Sequence, residues 1–341
     1  MELSIIIPVC NVEQYIGPCL ESIYRQGLCD DVFEIIVVND GSTDNSMEVV
    51  KSIMSCHHNI QIINQDNSGP SVSRNVGMES AIGEYVLFVD SDDLLMDNGL
   101  SLLMQRATDT SADMIVPDYI RMNDDEIKSQ YDARLTDPMI VEKTGYDYFV
   151  EDYDPSKGSF IWRILYKRTF LNDNCIRLFP GVYYEDIPFL QECLLKARRV
   201  IGIHLLYYIY RIRQRSCTYS FTMKNALDYN TAIANSWQLI KLSDLPEKVC
   251  RKQKKNVFLF FSYAIDCIIS VFKDSSERKM IVDDLKKKAP GLSFKGGVEP
   301  RVASILFRTM PYTYVQGRLF NKKVTNWFQA RFLVKPSETI N

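Results

Sequence analysis

A chain of 341 residues, 46% apolar and 24% charged, has room for one large domain or two modest ones and the composition of a globular protein, not a disordered one. Its net charge of −3 excludes a general polyanion binder, so no nucleic acid is expected as a partner and any basic surface must be local. Nine cysteines, an odd number with no CxxC pair, fit neither a disulfide framework nor a zinc site, and read mostly as buried, reduced thiols. The chain opens MELSIIIPV, without a basic n-region or a small-residue cleavage site, and its longest apolar stretch, Val257 to Ile269, falls short of the ~20 residues that span a bilayer. These features predict a cytoplasmic location and a core helix at that stretch. His57 and His58 read as a surface turn, and His204, in an apolar strand-like run, as a packing residue.

The first 120 residues alternate strand and helix signals. Leu3 to Pro8 reads as a strand, and Asn11 as the N-cap of an amphipathic helix from Val12 to about Gln26. Phe33 to Val38 is a second strand, followed by a turn at Asp40–Asp44 and a helix from about Asn45 to Ser55. Ile60 to Ile63 is the third strand, and Pro70 to Ser80 a helix with proline in its first turn. Tyr85 to Val89 is the fourth strand; a helix from about Asn98 to Thr108 and a strand from Met114 to Val116 close the series. Strands that are apolar throughout and alternate with helices imply a mostly parallel sheet covered on both faces, an α/β Rossmann-like architecture. Ligands bind such sheets outside the carboxyl ends of the strands. Polar clusters after the first, second and fourth strands all fall at that edge. Beyond residue 120 the pattern is less regular, with helices expected at Thr144–Tyr153 and Glu185–Ala197 and a strand at Val200–Tyr210. From about Met223 it is helical, with breaks at Pro246, Pro290, Gly296–Gly297 and Pro311.

Three clusters carry the chemistry. DSDD, Asp90 to Asp93, crowds carboxylates that repel one another unless a cation sits among them. Mg²⁺ or Mn²⁺ takes oxygen ligands, keeps one or two protein carboxylates and completes its shell with phosphates; a solvated acidic turn capping the next helix is the plain alternative. VNDGSTDNS, Val38 to Ser46, offers an aspartate to a nucleobase or ribose, or is simply a well-capped turn. NSGPSVSRNVG, Asn67 to Gly77, opens a helix with Arg74 one turn in, suited to a phosphate or to pairing with a nearby aspartate. No GxGxxG follows the first strand and no GxxxxGK[ST] occurs, which argues against a dinucleotide dehydrogenase and a P-loop nucleotidase.

In this order and spacing the motifs resemble those of family-2 glycosyltransferases with a GT-A fold. The resemblance runs from about Leu3 to Ser220 through SIIIPVCN, VVNDGSTDNS, NSGPSVSRNVG and GEYVLFVDSDD, then FIWRILYKRTFL, FPGVYYEDIPF and YYIYRIRQRS. Cys10 departs from it, standing where the family usually has tyrosine or another larger residue. The resemblance implies a catalytic domain at 1–220, with a nucleotide-sugar half at about 1–120 and an acceptor half at about 121–220, and a helical C-terminal region at 221–341. It implies that Pro8, Val9 and Asn11 line the nucleotide pocket, that Asp40 binds the base, most often uracil, and that Arg74 lies near the donor. Asp90, with Ser91 in the same turn, would face the ribose or metal. Asp92 would hold Mn²⁺ or Mg²⁺ against the diphosphate, and Asp186 of the Glu185–Asp186 pair would be the general base; Asp93 and Glu185 are second choices for those two tasks. The implied activity is inverting transfer of a sugar from a nucleotide-sugar donor, UDP-linked, to a hydroxyl of a glycan or lipid-linked acceptor in surface-polysaccharide synthesis. A catalytically inactive nucleotide-sugar-binding protein and a nucleotidyltransferase are the competing readings. Past Ser220 the resemblance carries little. Lys295 to Lys335 interleaves Lys and Arg with Phe307, Tyr312, Tyr314, Phe320, Trp327, Phe328 and Phe332, with Phe294 just ahead, and reads either as a foot on an anionic inner membrane surface or as aromatics packed on the catalytic domain under solvated cations.

Overall fold

The computed structural model describes residues 1–127, 134–212, 221–241, 244–294 and 298–319. They fall into two compact units, Met1–Ser220 and Phe221–Asn341. The first runs β1 (Leu3–Val9), α1 (Ile16–Tyr24), β2 (Phe33–Asp40), α2 (Ser46–Met54), β3 (Ile60–Gln65), α3 (Pro70–Ser80), β4 (Tyr85–Phe88), β5 (Leu94–Leu95), α4 (Gly99–Thr110), β6 (Met114–Asn123), β7 (Arg134–Lys143), α5 (Gly145–Glu151), β8 (Leu165–Lys167), α6 (Arg168–Asp173), α7 (Asp186–Lys196) and β9 (Val200–Ile212).

The strands form one sheet in the order β3-β2-β1-β4-β8-β6-β9-β5, with β7 also paired to β9. The pairings among β3, β2, β1 and β4 are all parallel. β1 lies in the middle of that block and is buried along almost its whole length, as a strand covered on both faces must be. Its alternation divides the work: Ile5, Ile7 and Val9 enter the cluster that holds Ile16, Cys19, Leu20 and Ile23 of α1, while Ile6 on the other face meets Gly77 of α3. β8 then enters antiparallel to both β4 and β6, so the sheet is mixed beyond its first four strands.

Several expectations need correction. The first helix starts at Ile16, not Val12, and Asn11 does not cap it. Asn11 sits in the left-handed region at φ 53°, and its carboxamide oxygen accepts from Thr43 N instead. β5 and β8, of two and three residues, are too short to show a period and are paired only through the tertiary fold. β6 extends to Asn123, past the expected Val116, because β9 continues to pair with its polar end. Thr144 lies outside α5 as its N-cap, its hydroxyl accepting from Asp147 N. His204 is exposed and bonded to Asp118 at 3.0 Å, not packed. Among the described cysteines only Cys19 and Cys193 are buried; Cys29, Cys56 and Cys175 are exposed, and Cys217 lies outside the described residues.

The second unit is helical: α8 (Met223–Gln238), α9 (Glu247–Val271), α10 (Ser275–Lys288) and α11 (Val298–Thr309). A reciprocal capping box between Thr222 and Asn225 starts α8, and Pro246 immediately precedes α9. Phe261 of α9 gathers Phe294, Phe307 and Tyr314 with ring centroids 4.9, 4.8 and 5.9 Å away. These tail aromatics therefore form the core of their own unit. Gly296–Gly297 and the aromatics from Phe320 onward lie outside the described residues. No described helix is long and apolar enough to cross a membrane.

Candidate active site

The carboxyl ends of β1, β2 and β4 bring three loops together. After β1, Asn11 donates its backbone N–H toward Ser42 Oγ at 3.4 Å, and Thr43 N donates back to Asn11 Oδ1 at 2.8 Å. Val12 N donates to Ser46 Oγ at 2.8 Å, and Glu13 N to Asp44 Oδ2 at 3.0 Å. The first two loops are thus one laced structure. Gly41 makes the turn at φ +71°, with Asn67 N 3.0 Å from where a Cβ would sit; a side chain there would be both strained and crowded. Pro8 is half-buried and Asn11 exposed at this edge. Val9 is fully buried, because strand alternation turns its side chain into the core between Pro8 and Cys10.

Asp40, last residue of β2, is 4% exposed. Its Oδ1 accepts from Ser68 N and Gln65 Nε2, both at 2.7 Å, and its Oδ2 from Gly69 N at 2.9 Å. The carboxylate therefore shapes the loop that leads into α3, a task invisible in the sequence. Gly69 holds that loop at φ +87° and Pro70 opens the helix.

One turn into α3, Arg74 is buried and bridges two segments that are remote in sequence. Nη2 donates to Asp90 Oδ1 at 2.6 Å and Nη1 to Glu185 Oε1 at 2.9 Å, 111 residues away. Nε is buried without a hydrogen-bond partner. Burial opposes the guanidinium's charge, but the neighbouring Asp90 and Glu185 carboxylates more than offset it and hold its pKa above the ordinary arginine value. Glu185 precedes α7, and Tyr184 before it adopts φ +65°, a sharp bend for a bulky residue. Asp186 is the first residue of α7. Burial, and then the charge of Glu185, push its pKa up to about 7, with Arg74 pulling the other way.

The DSDD turn is pinned from β9. Tyr208 Oη donates to Asp93 Oδ2 at 2.9 Å, and Asp90 N donates to Tyr208 Oη at 3.2 Å. Arg211 donates its N–H to Asp93 Oδ1 at 2.8 Å and its Nε–H to the carbonyl of Asp92 at 2.7 Å. Its guanidinium lies 5.1 Å from the ring of Tyr15. Ser91 and Asp93 are buried, while Asp92 is half-buried. Burial, then Asp92 and Asp90, raise the Asp93 pKa well above the carboxylate range. Tyr208 and Arg211 were missed as site residues; Arg211 stands in the YYIYRIRQRS motif, but nothing in one sequence says which carboxylate it meets.

No group of three or more His, Cys, Asp or Glu able to hold a metal occurs among the described residues. A closed protein cage is therefore not what these residues form. They do fit an ion shared with a diphosphate: hard oxygen donors, one half-buried carboxylate at Asp92, and mutual repulsion within the turn that a cation would relieve.

A family model described as glycosyl transferase family 2 matches residues 4–170. The glycosyltransferase EpsJ of Bacillus subtilis is 32% identical over 267 residues, which cover 74% of this chain and 75% of EpsJ. Glycosyltransferase GlyA of Streptococcus pneumoniae serotype 4 is also 32% identical, over 65% of this chain but only 32% of its own, so the chain spans about a third of GlyA. Among solved structures, S. aureus TarS 1-349 in complex with UDP-GlcNAc superposes with a TM-score of 0.72 at 20% identity, covering 100% of this chain and 95% of that one. The Pyrobaculum calidifontis mannosyltransferase PcManGT, in complex with GDP-Man and Mn²⁺, gives a TM-score of 0.53 at 15% identity over 96% and 87% of the two chains. At these identities the structural likeness is one of fold, the GT-A arrangement.

Proposed function

The chain belongs to the family-2 glycosyltransferases, and from that premise we propose that it transfers a sugar from a UDP-linked donor to a hydroxyl of a glycan or lipid-linked acceptor, with inversion at the anomeric carbon, in surface-polysaccharide synthesis. The observation that carries this reading is the buried Arg74 bridge between Asp90 and Glu185. It joins the turn suited to the diphosphate with the residue pair suited to deprotonating the acceptor. UDP and UDP-GlcNAc in the complexes of TarS support the choice of nucleotide.

In this mechanism the loops after β1 and β2 hold the nucleoside, with Pro8 and Asn11 at the pocket wall and Asp40 setting the shape of its floor. Asp92 would hold Mn²⁺ or Mg²⁺, and Asp90, held by Arg74, would face the ribose or the ion. When bound, the cation supplies positive charge against the diphosphate leaving group. Asp186, ionised at and above about pH 7, accepts the proton of the attacking hydroxyl. Attack from the side opposite the diphosphate inverts the centre, so an α-linked donor gives a β-linked product. The basic tail segment would rest on an anionic inner membrane surface, where a lipid-linked acceptor is found.

Asp186→Asn tests the division of labour. It keeps the shape of the side chain and removes its basicity, so turnover should fall by roughly 10²-fold or more while UDP affinity stays within a factor of two of wild type. A collapse of UDP affinity would assign Asp186 to the donor site instead. Near-normal transfer would move the role of base to Glu185.

A further inference from the structure

Away from the carboxylate cluster, the first unit carries an open cleft of about 800 Å³. Its floor is the paired middle of β6 and β9, and its wall is the end of α5 with the residues that follow it. A smaller hollow of about 50 Å³ shares Tyr148, Asp152, Lys157 and Arg163 with it and reaches Leu190 of α7. Leu190 lies one helical turn from Asp186, about 6 Å along the axis. The main cleft is within the range of ligand pockets, roughly 300–1,000 Å³.

Its lining is built, not loose. Arg163 Nη1 donates to the carbonyl of Pro117 at 2.6 Å, and the guanidinium lies 5.4 Å from the ring of Tyr119. Tyr119 Oη reaches the carbonyl of Lys157 at 3.4 Å. Asp118 Oδ2 pairs with His204 Nδ1 at 3.0 Å. Gly202 keeps the floor low: a Cβ there would come within 3.3 Å of the Tyr148 ring. Asp118, Asp152, Lys157 and Arg163 line the same space, with Asp152 also paired to Lys143 at 2.6 Å.

This chemistry selects among ligands. A polyanion would meet the carboxylates, and an acyl chain would find charged walls. A polyol matches a lining that mixes donors and acceptors of both signs, and the faces of its rings match tyrosine rings. We propose that this cleft binds an oligosaccharide: the part of the acceptor chain remote from the hydroxyl that reacts. The inference rests on the glycan-acceptor reading above. Packed aromatics run from the cleft to the carboxylate cluster: Tyr119 lies 5.1 Å from Trp162, and Trp162 stacks at 4.2 Å on Tyr208, which bonds Asp93.

The test uses the full chain on a printed array of bacterial surface-glycan fragments, beside a peptide array, with UDP affinity measured by calorimetry in parallel. Asp118→Asn and Lys157→Ala change side chains at the cleft's edge and belong to no part of the donor site; circular dichroism checks their folding. One structural class of glycan should be retained by the wild type, and each variant should weaken that retention at least tenfold with UDP affinity unchanged. Retention equal in wild type and variants overturns the inference, as does retention of no glycan by a protein that binds UDP, or retention of peptides instead. Cleft-dependent glycan retention by a protein that fails to bind UDP would uphold the cleft and reject the donor reading.

Discussion

Asp186 is held at the cost of its own ionisation. Its side chain has an ordinary value of 3.8 and stands at about 7 in the fold, chiefly through burial and then through Glu185. A base must be deprotonated, so kcat/KM should rise with pH along a limb centred near 7 and level above it; a profile flat from pH 5 to 8 would rule out this base. The raised value bears on stability as well. Between pH 4 and 7 the unfolded chain has released this proton while the native state still holds it, so native stability falls as pH rises across that window, by roughly 1.4 kcal/mol for each pH unit. Asp186→Asn removes the titration. It should leave Tm unchanged at pH 4 and raise it at pH 8, where the full difference, a few kcal/mol, is present. A lower Tm at pH 8 would mean that the carboxylate stabilises the fold. Asp92 makes a separate claim. Wild-type UDP affinity should rise on adding Mn²⁺, and Asp92→Asn should lose that rise while keeping its metal-free affinity. Equal affinity with and without Mn²⁺ in the wild type would remove the ion from the mechanism.

Helix α3 is the element on which the site depends. Its N-terminal loop is fixed by Asp40, Arg74 leaves its second turn for Asp90 and Glu185, and Gly77 allows it to lie close on β1. A Cβ on Gly77 would come within 2.3 Å of Ile6 Cγ2. Gly to Ala favours an isolated helix by about 1 kcal/mol, but overpacking a core costs typically ~1–3 kcal/mol, and a branched side chain on a buried central strand has little room to retreat. Gly77→Ala should therefore lower Tm, and by displacing Arg74 it should also weaken UDP binding. A Tm equal to or above wild type would mean that β1 and α3 adjust more freely than their close approach implies.

At the scale of the molecule, the two units differ in what supports them. The first is organised around a sheet whose edge carries the site; the second is a set of helices with its own aromatic core. Phe294, Phe307 and Tyr314 belong to that core, so cutting the chain at Phe294 would unfold the second unit and say nothing about membranes. Charge removal is the sounder test. Replacing Lys322, Lys323, Arg331 and Lys335 by glutamine should reduce binding to phosphatidylglycerol vesicles, by roughly 1 kcal/mol for each charge that lies at the surface, with phosphatidylcholine vesicles as the uncharged control. Unchanged partition would retire the membrane foot.

The local pattern alone determined the β-α alternation, the helix Pro70–Ser80 and the edge at which Asn11, Asp40 and Asp90 emerge, because period and turn chemistry act over a few residues and are written consecutively. The order and spacing of the motifs also carry the resemblance to the family. What only the tertiary structure decided are the long-range pairings. Arg74, read from the sequence as a partner for a phosphate or a nearby aspartate, takes one carboxylate from each of two loops. Asp40 anchors the α3 loop through Ser68 and Gly69, and the side chain of Val9 joins the core. Tyr208 and Arg211 reach DSDD because β9 crosses back beside β5, a pairing with a sequence separation of more than a hundred residues. The antiparallel entry of β8 between β4 and β6 has the same origin: three residues carry no period, and their place is settled by the strands that need a neighbour.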